Sequence, residues 1–128
     1  MKPFLSLLLC ATMATVLAAQ QAGAPQNVTP EQAEKLIREK KVVVLDLRTP
    51  GEFAKGKIAG ARNLDYLGKS FEAELAQLDK KQPYLIHCAS GNRSGKAMEL
   101  FKKLQFQTVY HLASGMQGWE KEGKPVEK

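Results

Sequence analysis

Apolar positions along this chain follow two spacings, one suited to helices packed on a core and one suited to strands covered on both faces. Thr29-Pro30-Glu31-Gln32 supplies an N-cap hydroxyl, a proline in the first turn and a glutamine at the capping-box position. Ala33, Leu36 and Ile37 then recur at i, i+3 and i+4, which predicts a helix ending near Lys40, where Arg38, Lys40 and Lys41 complement its dipole. Val42-Val43-Val44-Leu45 has no polar alternation and predicts a buried strand, running into Asp46-Leu47-Arg48 and a turn at Thr49-Pro50-Gly51. Glu52 to Lys55 reads as a short helical turn, and Phe71, Leu75 and Leu78 mark a further helix closed by Lys80-Lys81-Gln82-Pro83. Tyr84-Leu85-Ile86-His87 is the second strand, Ala97, Leu100, Phe101 and Leu104 the next helical stripe, and Thr108-Val109-Tyr110 the third strand. Met116 to Trp119 reads as a last helical turn that closes the core. Strands alternating with helices predict an α/β domain with a mainly parallel sheet, whose ligands bind beyond the carboxyl ends of the strands.

The N-terminus changes the picture of where this domain works. Met1-Lys2-Pro3 precedes an apolar run from Phe4 to Ala19 that ends in small residues, so residues 1–19 read as a secretory signal. The run is shorter than the roughly 20 residues a membrane span needs. Leu9 stands before Cys10 where a lipoprotein signal would carry a small residue, so Cys10 is expected to leave with the signal. Residues 20–27 read as a polar linker without structure, and residues 28–128 as one domain, with 44% hydrophobic residues in the whole chain. The expected location is therefore outside the cytoplasm, in the periplasm, with no stable membrane association after the signal is removed. In that oxidising compartment Cys88 has no intramolecular partner, so it is either buried or used.

Charge narrows the partners. Of the six net positive charges, Lys2 carries one, which leaves +5 on the remaining chain, enough to draw small anions. The basic residues are scattered among acids, and Lys40-Lys41, Lys80-Lys81 and Lys102-Lys103 read as solvated turns and helix faces, so nucleic acid is not an expected partner.

The strand ending at His87 runs into Cys88-Ala89-Ser90-Gly91-Asn92-Arg93, followed by a helix whose first turn is expected near Ser94. Gly91 and Asn92 tolerate left-handed backbone angles, so the loop can curl with its N–H groups inward beside a helix N-terminus. A cysteine there is held as thiolate, its pKa lowered by the helix end and by Arg93. Cys88 and Arg93 are the candidate catalytic residues, and Ala89, Ser90, Gly91, Asn92 and Arg93 the candidate anion-binding residues. His87 should point to the opposite face of the sheet from Cys88, and His111 reads as structural or surface. The two histidines and one cysteine show no metal-ligand spacing.

Several blocks occur in one order along the chain: Asp46-Leu47-Arg48, Glu52-Phe53, Gly56 to Asn63, Cys88 to Ser94, and Ser114-Gly115 with Gly118-Trp119. From Val28 to Trp119 the chain resembles a single-domain rhodanese. The resemblance implies the rhodanese three-layer α/β sandwich and a sulfur-transfer cycle on Cys88. A donor such as thiosulfate gives its outer sulfur to the thiolate, and the sulfur of the persulfide passes to cyanide or a thiol, a protein thiol included. It implies no metal or organic cofactor. Phosphatases and arsenate reductases of this fold carry one more residue between Cys and Arg, whereas four intervene here. Lys57 stands where the family often has His, Gln105 where a helix-ending Gly is usual, and Ser114 where a second Gly is common. Asp46, Arg48 and Glu52 are expected to act structurally, with Arg48 pairing Asp46 or Glu52. Two other readings of the chain are a persulfide carrier that turns over small donors poorly and a non-catalytic interaction domain, which commonly lacks the cysteine.

Overall fold

In a computed structural model, residues 25–128 are described; the expected signal and most of the expected linker lie outside them. Thr29 caps α1 (Pro30–Arg38), with both bonds of the capping box formed. Val43–Asp46 forms β2, Pro50–Lys55 forms α2 and Arg62–Asn63 forms β3. These are followed by α3 (Phe71–Ala76), β4 (Tyr84–His87), α4 (Asn92–Lys103), β5 (Val109–Leu112) and α5 (Gly115–Lys121). Ahead of them all, Gln26–Val28 forms β1, so the end of the segment read as structureless linker is an edge strand paired with β5.

The sheet has five strands in the order β1-β5-β4-β2-β3, and every pairing is parallel. Its side chains alternate between two cores, as the pleat requires. Leu45, Tyr84, Ile86 and Val109 pack with Phe71, Leu75, Ala97 and Phe101 of α3 and α4. Val44, Leu85 and Leu112 pack on the other face with Ala33 of α1 and with Met116 and Trp119 of α5. The result is a three-layer sandwich in which β4 and β2 are central. Their carboxyl ends lie side by side, because Asp46 is in register with His87.

Two short strands went unread because neither has the pattern of a strand. β1 has only Val28 as an apolar residue and β3 is a two-residue pairing, with Leu45 and Asp46 of β2 opposite Arg62 and Asn63. Both exist because a neighbour offers a free edge, not because of local propensity.

Candidate active site

The carboxyl ends of β2 and β4 carry two separate polar clusters, one on each face of the sheet. On the face away from Cys88, Asp46 is completely buried and accepts from the Arg48 backbone N–H at 3.0 Å, from Nε at 2.9 Å and from Nη2 at 2.6 Å. Arg48 Nη2 also donates to the Gly56 carbonyl at 2.7 Å, and Asn63 Nδ2 donates to the carbonyls of Asp46 at 3.0 Å and Arg48 at 2.8 Å. Of the two expected partners, Arg48 takes Asp46. His87 lies on the same side, as its parity requires, with Nε2 3.6 Å from Asp46 Oδ2 and Nδ1–H donating to the Cys88 carbonyl at 3.0 Å. Burial holds the His87 imidazole below its usual pKa, partly opposed by the Asp46 charge.

On the other face the chain turns sharply after Cys88. Gly91 caps α4 with φ +94°, and a Cβ there would strike the Ala113 carbonyl oxygen. Gly115, at φ +67°, is equally constrained, since a Cβ would lie 2.8 Å from the Cys88 carbonyl oxygen and closer still to that of Ala89. The first turn of α5 thus presses on the loop, and Met116 N–H and Gln117 N–H donate to the Cys88 and Ala89 carbonyls at 2.8 and 3.0 Å. Ser114 has an ordinary helical backbone, so a side chain is accommodated where a second glycine is usual in the family.

The loop wraps the sulfur. Gly91 N–H donates to Cys88 Sγ at 3.1 Å, and Ser94 Oγ lies 3.3 Å from it and donates to it when it is a thiolate. Burial by itself pushes the Cys88 thiol up, but the Ser94 hydroxyl and the backbone N–H groups of Ser94, Ser90 and Gly91 outweigh it and hold the thiol below its usual value. Cys88 is 0% exposed, while Ser90 and Asn92 on the loop are exposed. α4 starts at Asn92, two residues earlier than expected, which brings Ser94 into the first turn and beneath the sulfur.

Arg93 turns from the sulfur to α2. Its Nη1 and Nη2 donate to Glu52 Oε1 and Oε2 at 2.7 and 3.0 Å, and Glu52 Oε1 also accepts from the Thr49 N–H and hydroxyl. The Arg93 guanidinium holds the Glu52 carboxyl down to about 2, with Thr49 acting in the same sense against burial. Arg93 therefore fixes the loop through α2; the groups named above are the largest causes of the lowered thiol, and the Arg93 and Cys88 charges also favour one another. Lys57 stacks over the Phe53 ring with Nζ 4.9 Å from its centroid, and its backbone bridges Glu127 of the C-terminal tail.

Two groups escaped the sequence reading. Ser94 stands in the quoted motif but was assigned no role; the signal was its place six residues after Cys88, on the first turn of the next helix. His111 is 4% exposed and so is no surface residue; its Nε2 lies 2.7 Å from Ser94 Oγ, and Nδ1 lies 3.0 Å from Asn27 Oδ1. Nothing local in the sequence points to that contact.

A cysteine in a strand-to-helix loop, wrapped by N–H donors on a five-stranded parallel sheet, belongs to the rhodanese architecture. The rhodanese-like domain model matches residues 29–122, and the chain belongs to that family. It is 37% identical over 94 residues to the thiosulfate sulfurtransferase GlpE of Pseudomonas aeruginosa, covering 73% of this chain and 83% of that protein. The same enzyme from Ectopseudomonas mendocina is 34% identical, covering 73% and 84%. Among solved structures, a rhodanese-related protein from Thermoplasma volcanium superposes with a TM-score of 0.71 at 30% identity, covering 80% of this chain and 97% of that one. The chain is a single-domain rhodanese, and sulfur transfer is the activity of its family.

Proposed function

We propose that this protein transfers sulfane sulfur from a small anionic donor such as thiosulfate, through a persulfide on Cys88, to cyanide or a thiol. The observation that carries this reading is the hydrogen-bonded enclosure of Sγ by Gly91 N–H and Ser94 Oγ, which favours an anionic sulfur. The thiolate attacks the outer sulfur of thiosulfate, the bond to the sulfonate sulfur breaks, and sulfite leaves with its electron pair. The Cys88 persulfide carries one negative charge on its terminal sulfur, and the N–H groups of Ser90, Gly91 and Ser94 are the donors placed to stabilise it. Cyanide or a thiolate then attacks that sulfur, and the Cys88 thiolate departs unchanged. The donor approaches over the short loop, whose Ser90 and Asn92 face solvent. Gly91 supplies the loop's curvature through its left-handed backbone, and Arg93 anchors the loop to Glu52. The acceptor includes a protein thiol as a candidate, and residues 1–19 direct the chain to the periplasm in this reading.

Intact mass after thiosulfate treatment tests the proposal. A gain of one sulfur, removed by cyanide and absent from Cys88→Ser, is expected. A folded, reduced protein that gains no sulfur from thiosulfate overturns the small-donor cycle, and loading from a protein persulfide alone would make it a carrier. N-terminal sequencing of the exported protein checks the signal, with cleavage expected after Ala18 or Ala19.

A further inference from the structure

One buried titratable group beside the sulfur has no part in the cycle above. His111 lies on β5, in register with Ile86 of β4, and its ring closes a chain of hydrogen bonds that begins at Cys88. Sγ to Ser94 Oγ is 3.3 Å, Ser94 Oγ to His111 Nε2 is 2.7 Å, and His111 Nδ1 to Asn27 Oδ1 is 3.0 Å. The chain runs from β4 through α4 and β5 to β1, entirely on or beneath one face of the sheet.

Counting hydrogens sets its direction. Asn27 Oδ1 only accepts, so His111 Nδ1 carries a hydrogen, and a neutral ring then presents Nε2 as an acceptor. Ser94 has a single hydroxyl hydrogen. With that hydrogen on Nε2, Ser94 Oγ is left to accept from the Cys88 thiol. Once Cys88 is a thiolate the requirement reverses: Ser94 must donate to the sulfur, so its oxygen must accept from Nε2–H.

We propose that His111, acting through Ser94, is the positioning residue that holds the Cys88 proton while the sulfur is a thiolate. The S–H proton passes to Ser94 Oγ as the Ser94 hydroxyl proton passes to His111 Nε2. The products are a thiolate, a neutral serine now donating to it, and an imidazolium whose Nδ1–H remains on Asn27. No proton leaves the chain, and the buried group stays neutral overall, which avoids placing a lone anion under the loop.

The surroundings tie the two charges together. Burial lowers the pKa of the His111 ring, and His87 acts in the same sense. Of the elements against the ring, β4 leads into Cys88, α4 contributes Ser94, and β1 contributes Asn27, while His87 acts on the ring from the opposite face of β4. Arg93, next to Ser94, is engaged by Glu52, and Asp46 is engaged by Arg48. Among the described residues no carboxylate lies within ion-pair distance of His111. The thiolate is thus the anion available to stabilise an imidazolium there.

The proposal rests on Cys88 working as a thiolate nucleophile, but its test needs no sulfur donor. The ultraviolet thiolate band of the full chain is followed against pH, with the matching Cys88→Ser protein subtracted, for wild type, His111→Gln and Ser94→Ala. The His111 ring nitrogens are followed by NMR over the same range. Glutamine can donate to Ser94 but cannot take up a proton. The expected result is a thiol titration raised by about one pH unit in both variants, a tenfold loss of thiolate below the midpoint. In wild type the ring should carry its proton over the pH range in which the sulfur is a thiolate and release it only at higher pH, and in Cys88→Ser the ring should be neutral over that same range. A ring that stays neutral through thiolate formation, or an unmoved thiol titration in His111→Gln, overturns the proposal. Should His111→Gln not fold, the wild-type ring titration decides alone. Thiosulfate loading of the wild type separates the two readings: loading with an uncoupled ring removes only the relay, and a coupled ring without loading removes only the thiosulfate cycle.

Discussion

Two arginine–carboxylate pairs stand at the carboxyl ends of the central strands, and they differ in almost everything but chemistry. Arg48 and Asp46 are two residues apart and sealed, with side chains 8% and 0% exposed. Arg93 and Glu52 are 41 residues apart, and their side chains are 21% and 36% exposed. The buried pair joins the end of β2 to Gly56 and, through Asn63, to β3. The half-exposed pair joins α2 to the loop around the sulfur. The comparison teaches that the same ionic contact holds the sheet together in one place and sets the aim of a loop in the other, with burial deciding which.

Removing one partner of the buried pair should have the largest effect. Asp46→Asn leaves the Arg48 guanidinium buried without a counter-ion and should cost about 3–5 kcal/mol in chemical denaturation. The surviving folded fraction should keep the thiolate titration of the wild type; a large shift of that titration would mean that the two clusters are not separate.

The half-exposed pair should behave in the opposite way. Arg93→Ala should change stability by only about 0.2–1 kcal/mol, the range of solvent-screened pairs. It should nonetheless slow single-turnover sulfur loading by about tenfold or more, because the loop loses its anchor. Equal losses of stability in Arg93→Ala and Asp46→Asn would abolish the distinction.

Acid separates the regions further. His87, beside Asp46, has its folded pKa lowered from 6.5, so the unfolded chain binds the extra proton first and stability must fall as pH drops below about 6.5. The slope from this one group is at most about 1.4 kcal/mol per pH unit, and His87→Gln should flatten it. Glu52, held at about 2 against an ordinary 4.5, loses its contribution only between those values, and the loss should be small because water screens the pair. Denaturant midpoints measured from pH 8 to pH 3 check both.

The last substitution lies outside both clusters and serves as the control. Gln105 has φ +64° just past α4, at the position where the family usually ends the helix with glycine. Gln105→Gly should stabilise by about 0.5–1 kcal/mol in thermal or chemical denaturation, with no change in the thiolate titration.

Legibility followed the range of the interactions. Both capping boxes, Thr29 with Gln32 and Thr49 with Glu52, span three residues, and the first was read directly from the sequence. β4 was read at its full length, because Tyr84 to His87 is covered on both faces and bounded by Pro83 and the Cys88 loop. The Cys88 loop was read as an enclosure for an anion, and its curvature at Gly91 is there. β1 and β3 were missed, since a triplet with one apolar residue and a residue pair become strands only beside a partner edge.

Local spacing therefore determined the helices, the central strands and the short loop with the candidate nucleophile, Cys88, at its head. Tertiary structure decided which partner each polar side chain took. Arg93 reaches Glu52 across 41 residues, Ser94 reaches His111 across 17, and His111 reaches Asn27 across 84. Each of these contacts depends on strand order and register, which place Asn27, His111 and Cys88 on three neighbouring chains in space. A pattern of neighbours along the sequence carries no information about that order, because the sheet is assembled by burying two apolar faces and the polar groups meet only once it has closed.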